Sequence, residues 1–203
     1  LSKRMCLLLE NIENDFSRHP LPRSAFQLTS SYLSGIHVSP QEKKVKNHFI
    51  LPLERGVIEP SFNQKNIKDP TLLERRIKQG LERVRPSEHK IACLIPELSL
   101  KVFVFSFDSL PSSRKEREQI IRFRVKKQLP LLPEDARLSF DTVRSNNSLR
   151  VLTSVARASV ISEYEDFFDR FHLEIRTLGV PSLSLNNLIS KEKGEDFLLI
   201  NIE

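Results

Sequence analysis

The sequence predicts an α/β protein, a mixed sheet with helices laid on it and a small β-α-β-β unit inserted between two of its parts. Three observations predict it. Short strand-length runs come early, at Ala25 to Val38 and Lys46 to Leu53. A helical pattern at Asp69 to Val84 then stands before another short apolar run, Ile91 to Ile95, which argues for a right-handed crossover and a parallel pairing. From Lys101 to Leu132 the chain reads strand, turn, charged helix and proline-marked exit, followed by a hairpin.

Composition bounds the class. A chain of 203 residues with 39% hydrophobic and 29% charged residues can bury a real core and fits one domain with a small insert. Cys6 and Cys93 are its two cysteines, too few for a disulfide scaffold and without a second ligand at metal spacing, so a reducing compartment and no structural metal are expected. No apolar run of about 18 residues is present, and Glu10, Glu13 and Asp15 follow Met5 to Leu9 too soon for a secretory signal.

Taken in order, residues 1–23 read as an arm or linker broken at His19-Pro20-Leu21-Pro22. Phe26, Leu28, Tyr32, Leu33, Ile36 and Val38 then alternate with small polar residues as two strands. A polar turn around Pro40 to Lys43 leads into the third, Lys46 to Leu53. Asp69-Pro70 is a strong helix start, because Asp can cap and proline at the first position lacks an N–H that would go unpaired anyway. Leu73, Ile77, Leu81 and Val84 recur at helical spacing up to Pro86. Ile91 to Ile95 is short and apolar, a central strand, with Cys93 as a small buried hydrophobe.

In Lys101 to Phe107, Val102 and Val104 point one way and Phe103, Phe105 and Phe107 the other, so the phenylalanines need a cover. The helix from about Arg114 to Gln128 can supply it through Ile121, Val125 and Leu129. Ile120 and Phe123 form a second stripe, with Arg117 and Arg124 between the two. Seven Lys or Arg stand against Glu116 and Glu118 between Arg114 and Lys127. Either the second stripe packs on the protein's own loops, or it lines a groove for a partner peptide or subunit carrying acidic residues. In the second case Arg117, Ile120, Arg122, Phe123, Arg124 and Lys127 are the partner-binding set. Nucleic acid is the weaker reading, since the basic residues run all round the helix, are interleaved with Glu, and no recognition motif or Trp accompanies them.

Leu138 to Val143 and Leu149 to Ala156 make a hairpin around Asn146-Asn147, and its second strand is expected to run on into the main sheet. Ser159 can cap a helix whose Val160, Tyr164, Phe167 or Phe168, and Phe171 recur along one side. Leu173 to Val180 is a strand, Pro181 opens a short helix with Leu185, Leu188 and Ile189, and Asp196 to Ile202 begins another strand. The division expected is an arm 1–23, a core 24–96 and 151–194, an insert 97–150, and at 195–203 the start of a second lobe that is truncated or missing from view. Self-association through the Phe103 to Phe107 sheet is a further reading. None of His19, His37, His48, His89 and His172 has a partner at catalytic or metal-ligating spacing, and His37 in its alternating strand reads as structural. No catalytic and no metal residue is assigned, and Asp108 and Asp141 read as turn or edge residues.

The run Leu100 to Val143, with its strand, the helix motif Glu118 to Phe123, the exit Gln128-Leu129-Pro130 and the strand Leu138-Ser139-Phe140-Asp141, resembles the type IV pilus assembly protein PilM family. The resemblance extends from about residue 24 to 203 through the order of elements. It implies an actin-like (ribonuclease H-like) core, of which this chain is the first lobe, with the insert matching subdomain 1C. It implies an adapter on the cytoplasmic face of the inner membrane, in a type IV pilus or type II secretion-like platform. The partner implied is the cytoplasmic tail of a PilN-like membrane protein, held in a groove between core and insert, so that membrane association is indirect. The family's phosphate-binding strand ends Asp-x-Gly-Ser and is followed by a Lys, and those positions fall here at Gln27, Thr29, Ser30 and Ser34. Its second Asp-x-Gly corresponds to Asn201-Ile202-Glu203. Without the glycine the backbone approaches phosphate less readily, and without the aspartate no carboxylate organises Mg²⁺. An actin-like ATPase is therefore the alternative function and ATP is not the expected cofactor; should nucleotide bind, Thr29 and Ser30 are the donors to expect.

Overall fold

The computed structural model describes residues 22–39, 44–145 and 148–189. Residues 1–21 of the expected arm 1–23, the turn at 40–43, the Asn146-Asn147 turn and everything from 190 onward, including Asn201 to Glu203, lie outside the described residues. Eight strands and four α-helices are defined in order: β1 (Ser24–Leu28), β2 (Tyr32–Ser39), β3 (Lys44–Pro52), α1 (Pro70–Val84), β4 (Lys90–Leu94), β5 (Lys101–Phe107), α2 (Arg114–Gln128), β6 (Arg137–Ser145), β7 (Ser148–Ala156), α3 (Ala158–Asp169), β8 (Glu174–Gly179) and α4 (Pro181–Ile189). A 3₁₀ turn, Glu97–Ser99, joins β4 to β5.

The strands form two sheets. The larger runs β3-β2-β1-β4-β8, with β2 antiparallel to both neighbours and β1, β4 and β8 mutually parallel. That order, with the second strand alone reversed, is the ribonuclease H-like core shared by actin-like domains. The smaller sheet runs β5-β7-β6 and is antiparallel throughout. Here the sequence reading needs correction. The second hairpin strand does not run on into the main sheet: all of β7 pairs within the small sheet, from Val155 opposite Lys101 to Leu149 opposite Phe107, and the inserted unit continues to Ala156.

Each core follows from alternation and helical spacing. Ser24, Phe26 and Leu28 of β1, Ile91 and Cys93 of β4, and Ile175 and Leu178 of β8 face inward beneath α1 and α3. Asp69 accepts a hydrogen bond from the Leu72 N–H at 2.9 Å and caps α1 as expected, with Pro70 at its first position. The helix ends at Arg85 in the left-handed region (φ 50°), just before Pro86. Helix α3 departs from its predicted start: Arg157 occupies the cap position without a side-chain bond, and Ser159 is exposed inside the first turn. Its Val160, Tyr164, Phe167 and Phe168 are buried as the spacing demands. His37 is buried with Ser24 Oγ 2.9 Å from its Nδ1, a strand-to-strand tie between paired residues. Cys93 is buried and burial pushes its thiol pKa up.

Gly80, which hydropathy alone passes over, takes a buried place on α1. The Phe49 ring of β3 fills the space in front of it and also in front of Gly35, so a side chain at either glycine would collide with that ring. Alanine normally stabilises a helix interior by up to about 1 kcal/mol over glycine. At position 80 the sign is expected to reverse: Gly80→Ala should cost about 1–3 kcal/mol by overpacking, and Gly80→Ala with Phe49→Leu should recover part of it. Urea unfolding of the three variants checks this, and a Gly80→Ala midpoint at or above wild type would contradict the packing.

Candidate functional site

Helix α2 is the element singled out by its charge, and its two stripes separate cleanly. Ile121 and Val125 are fully buried and join Phe105, Ala136, Val151 and Val155 in the core of the insert, with Phe103, Phe107 and Leu129 packed around them. Val102 and Val104 are exposed on the outer face of that sheet. Ile120 and Phe123 remain open to solvent, at 36% and 59% exposure, and Leu131 just beyond the helix is 91% exposed. At 100° per residue Ile120 and Phe123 sit on the side of the helix away from its buried stripe. Nothing among the described residues seals them.

The basic residues of the set divide into two kinds. Lys127 places its Nζ 4.6 Å from the centroid of the Phe123 ring, and Arg124 lies over Phe107 at 5.5 Å. These are cation–π contacts made at the surface. Arg122 is tied inward, donating to the Ala136 carbonyl at 3.1 Å with Glu118 3.7 Å away. Arg117 is half-buried and donates through Nη2 to the Ser112 carbonyl at 3.4 Å. The structure therefore brings Ile120, Phe123, Arg124 and Lys127 onto one accessible surface and uses Arg122 as an internal tether.

The β1–β2 turn, where the phosphate-binding residues were expected, is self-satisfied. Thr29 is buried; its Oγ1 accepts from the N–H groups of Ser31 (3.2 Å) and Tyr32 (2.9 Å) and donates to the Tyr32 carbonyl at 3.1 Å. The Thr29 N–H also goes to the Tyr32 carbonyl, at 3.0 Å. A phosphate cradle needs converging free N–H groups, and three of this turn's are committed to the turn itself. Gln27, standing at the family's aspartate position, donates to the Tyr32 hydroxyl at 2.9 Å. Ser30 is exposed and lines, with Ser31, Arg55, Glu59 and Pro60, an open depression of about 460 Å³. No residue of α2 lines it. Among the described residues no three His, Cys, Asp or Glu side chains cluster as metal ligands, and no helix is long and apolar enough to cross a membrane.

The segment between β3 and α1, which sequence reading treats as a plain loop, is a built arm. Ile58 and Ile67 form an antiparallel bridge, the Glu59 N–H donates to the Asn66 carbonyl at 2.8 Å, and the Lys68 N–H to the Val57 carbonyl at 2.9 Å. Asn66 is fully buried at its base. Its Oδ1 accepts from Ser99 Oγ (2.6 Å), Tyr164 OH (3.3 Å) and the Ser61 N–H (3.1 Å), and its Nδ2 donates to the Ser61 and Gln64 carbonyls. Glu163 on α3 accepts from the N–H groups of Asn66 (2.6 Å) and Ile67 (3.3 Å). The Asn66 hub carries no periodic signal, so sequence reading had nothing with which to find it.

Core and turn together define a class: an actin-like α/β lobe with an antiparallel three-stranded insert and a self-closed first turn. The comparisons agree at the level of fold. A chain of the PilM-PilN type IV pilus biogenesis complex superposes with a TM-score of 0.71 at 17% identity, over 84% of this chain and 51% of that one. The cytoplasmic domain of EpsL, an inner membrane component of the type II secretion system of Vibrio cholerae, gives 0.49 at 9% identity over 77% and 56%. A Bacteroides thetaiotaomicron protein with an actin-like ATPase fold and unknown function gives 0.47 at 12% over 88% and 59%. The last two scores are too low to carry a structural argument. The protein thus spans about half the length of the PilM-PilN chain, whose fold it shares over most of its own length. No protein-family model and no curated protein matches the sequence.

Two outcomes follow. Thr29→Val keeps the shape but removes the acceptor of two N–H groups, on exposed Ser31 and half-buried Tyr32, and is expected to lower stability by about 1 kcal/mol in urea unfolding; a neutral result would mean the turn does not depend on that hydroxyl. Desolvation raises the Glu163 pKa above the ordinary 4.5 despite its two N–H bonds and the nearby Lys65 and Lys68. The folded protein thus holds this proton more tightly than the unfolded chain. Its contribution to stability is full below the ordinary value and is lost as pH rises through the raised folded value. Wild-type stability relative to Glu163→Gln should therefore decline as pH rises above the ordinary 4.5, read from urea midpoints on the alkaline side of that value, and a rise would overturn the sign.

Proposed function

We propose that this protein is a non-catalytic adapter of a membrane-anchored assembly platform of the type IV pilus or type II secretion kind, acting at the cytoplasmic face of the inner membrane. Its partner is the cytoplasmic tail of a PilN-like membrane protein, bound against the outer face of α2. The observation that carries this reading is the exposed pair Ile120 and Phe123, set among Arg124 and Lys127 on a helix whose opposite stripe is already fully used. Apolar anchors inside a basic rim suit an extended segment with a large apolar side chain and acidic neighbours. The fold shared with a chain of the PilM-PilN complex supports the choice of partner class. The groove between core and insert belongs to this proposal, and Arg117 and Arg122 would shape its wall from their tethered positions.

An actin-like ATPase is the competing reading. Against it stands the β1–β2 turn, whose N–H groups are spent on Thr29 Oγ1 and the Tyr32 carbonyl, leaving Ser30 as the residue free to meet a phosphate.

The test is a titration of the full-length protein with a synthetic peptide spanning the cytoplasmic tail of its PilN-like partner. Phe123→Asp is expected to weaken binding by about 2 kcal/mol or more, roughly 30-fold. Arg124→Glu should weaken it less and make it less sensitive to salt. Both variants should unfold within about 0.5 kcal/mol of wild type, as surface changes do. Arg122→Glu is a poor probe, because it also releases the Ala136 carbonyl. Peptide binding unmoved by Phe123→Asp, or tight MgATP uptake by the full-length protein, would defeat the proposal.

A further inference from the structure

The insert is covalently attached to the core at one corner. The chain enters it after Leu100 and leaves it at Ala156, and because Lys101 pairs with Val155 these two crossings lie side by side. Two adjacent crossings, one from the 3₁₀ turn into β5 and one from β7 into α3, make a hinge and do not by themselves fix an angle. Arg137 sits at the same corner, since it pairs with Ala156; its Nη1 donates to both Glu165 carboxylate oxygens (3.1 and 3.2 Å) and its Nη2 to Ser162 Oγ (3.3 Å). What reaches further in is the arm. Val57 and Ile58 at its base are buried in the main core, whereas Phe62 at its tip is buried in the insert's core with Phe105, Ile121 and Val151. Beside the tip, Arg157 donates to the Asn63 carbonyl at 3.1 Å, so the hinge itself is also held to the arm.

The arm is anchored at both ends and bonded along its length. Asn66 gathers groups from the arm itself, the 3₁₀ turn and α3, while Glu163 holds the backbone at 66 and 67. A segment with one apolar residue committed to a second core and a fully bonded buried base is a fixed spacer. We infer that the 59–66 arm is a strap that sets the angle of the insert on the core through Phe62, and so governs how the α2 face is presented to a partner. The first half of this inference stands on geometry alone; the second half rests on the adapter reading. Phe62 and Asn66 are in this sense positioning residues, acting through the insert without touching the partner.

The test measures the angle directly. Spin labels at Arg75→Cys on α1 and Lys115→Cys on α2, both exposed positions, are placed in full-length protein carrying Cys6→Ser; Cys93 is buried and slow to label. The wild-type distance distribution should be single and narrow. Phe62→Ala should about double its width while amide exchange within α1 and α2 stays near wild type, and Phe62→Leu, which restores an apolar plug, should narrow it again. If Phe62→Ala does not fold, Glu163→Gln, on a half-buried position, should give a smaller broadening of the same kind. A width unchanged in both variants overturns the strap, as does equal loss of exchange protection in both cores. Broadening with undiminished affinity for the PilN-like tail peptide leaves the strap standing and counts against the α2 face alone.

Discussion

Everything in this protein depends on holding two hydrophobic cores in one orientation. The larger core lies between the mixed sheet and helices α1 and α3, and the smaller between the antiparallel sheet and α2. Besides the covalent corner and the Arg137–Glu165 contact, they are joined by the arm from 54 to 69, whose base combines apolar Val57 and Ile58 with the polar Asn66 hub and whose tip plugs the insert with Phe62. That division has a physical reason. A buried amide such as Asn66 costs free energy unless its bonds are made, and once made they define one geometry. An apolar plug such as Phe62 stabilises without direction and tolerates small shifts. The first registers the arm and the second lets the insert seat on it.

The same accounting explains the turn that ends β1. In a phosphate-binding actin-like lobe this is where backbone N–H groups must stay available. Here Thr29 turns its hydroxyl back on the turn and collects two of them, and Gln27 stands where a carboxylate would organise a cation. A glycine would leave the turn open, and a threonine closes it. The geometry is that of a turn stabilised for its own sake.

Much of the fold was legible because it rests on periodicity. The alternation of β1, β2 and β5, the spacing of Leu73, Ile77 and Val84, and the opposition of Ile121 and Val125 to Ile120 and Phe123 are all one-dimensional signals with a direct three-dimensional meaning. The misses share a different cause. Gly80 is buried because a ring from β3 needs its space, the full pairing of β7 depends on which sheet captures it, and Arg122 points inward because the Ala136 carbonyl is waiting there. None of these is a property of a local window. The arm is the extreme case: Phe62 and Asn66 sit in a stretch without period, and only the tertiary structure gives them partners. Thr29 and Ser30 illustrate the same limit from the other side, since the motif resemblance treats the two alike while in the structure Thr29 is buried and Ser30 exposed.

An exposed phenylalanine on a soluble surface needs some account of why it does not collapse or aggregate. On α2 that account is local. Lys127 lies over the Phe123 ring and Arg124 over Phe107, so part of each aromatic face is shared with a cation that keeps its own contact with water. Seven cations against two carboxylates between Arg114 and Lys127 add mutual repulsion between copies of the protein. The arrangement favours one kind of visitor over another. A second copy brings more positive charge and is opposed, whereas a segment with acidic residues beside an apolar side chain relieves the repulsion and buries the ring in the same step. The helix is in this way held in solution by the same charges that, in the proposed adapter, select what covers it.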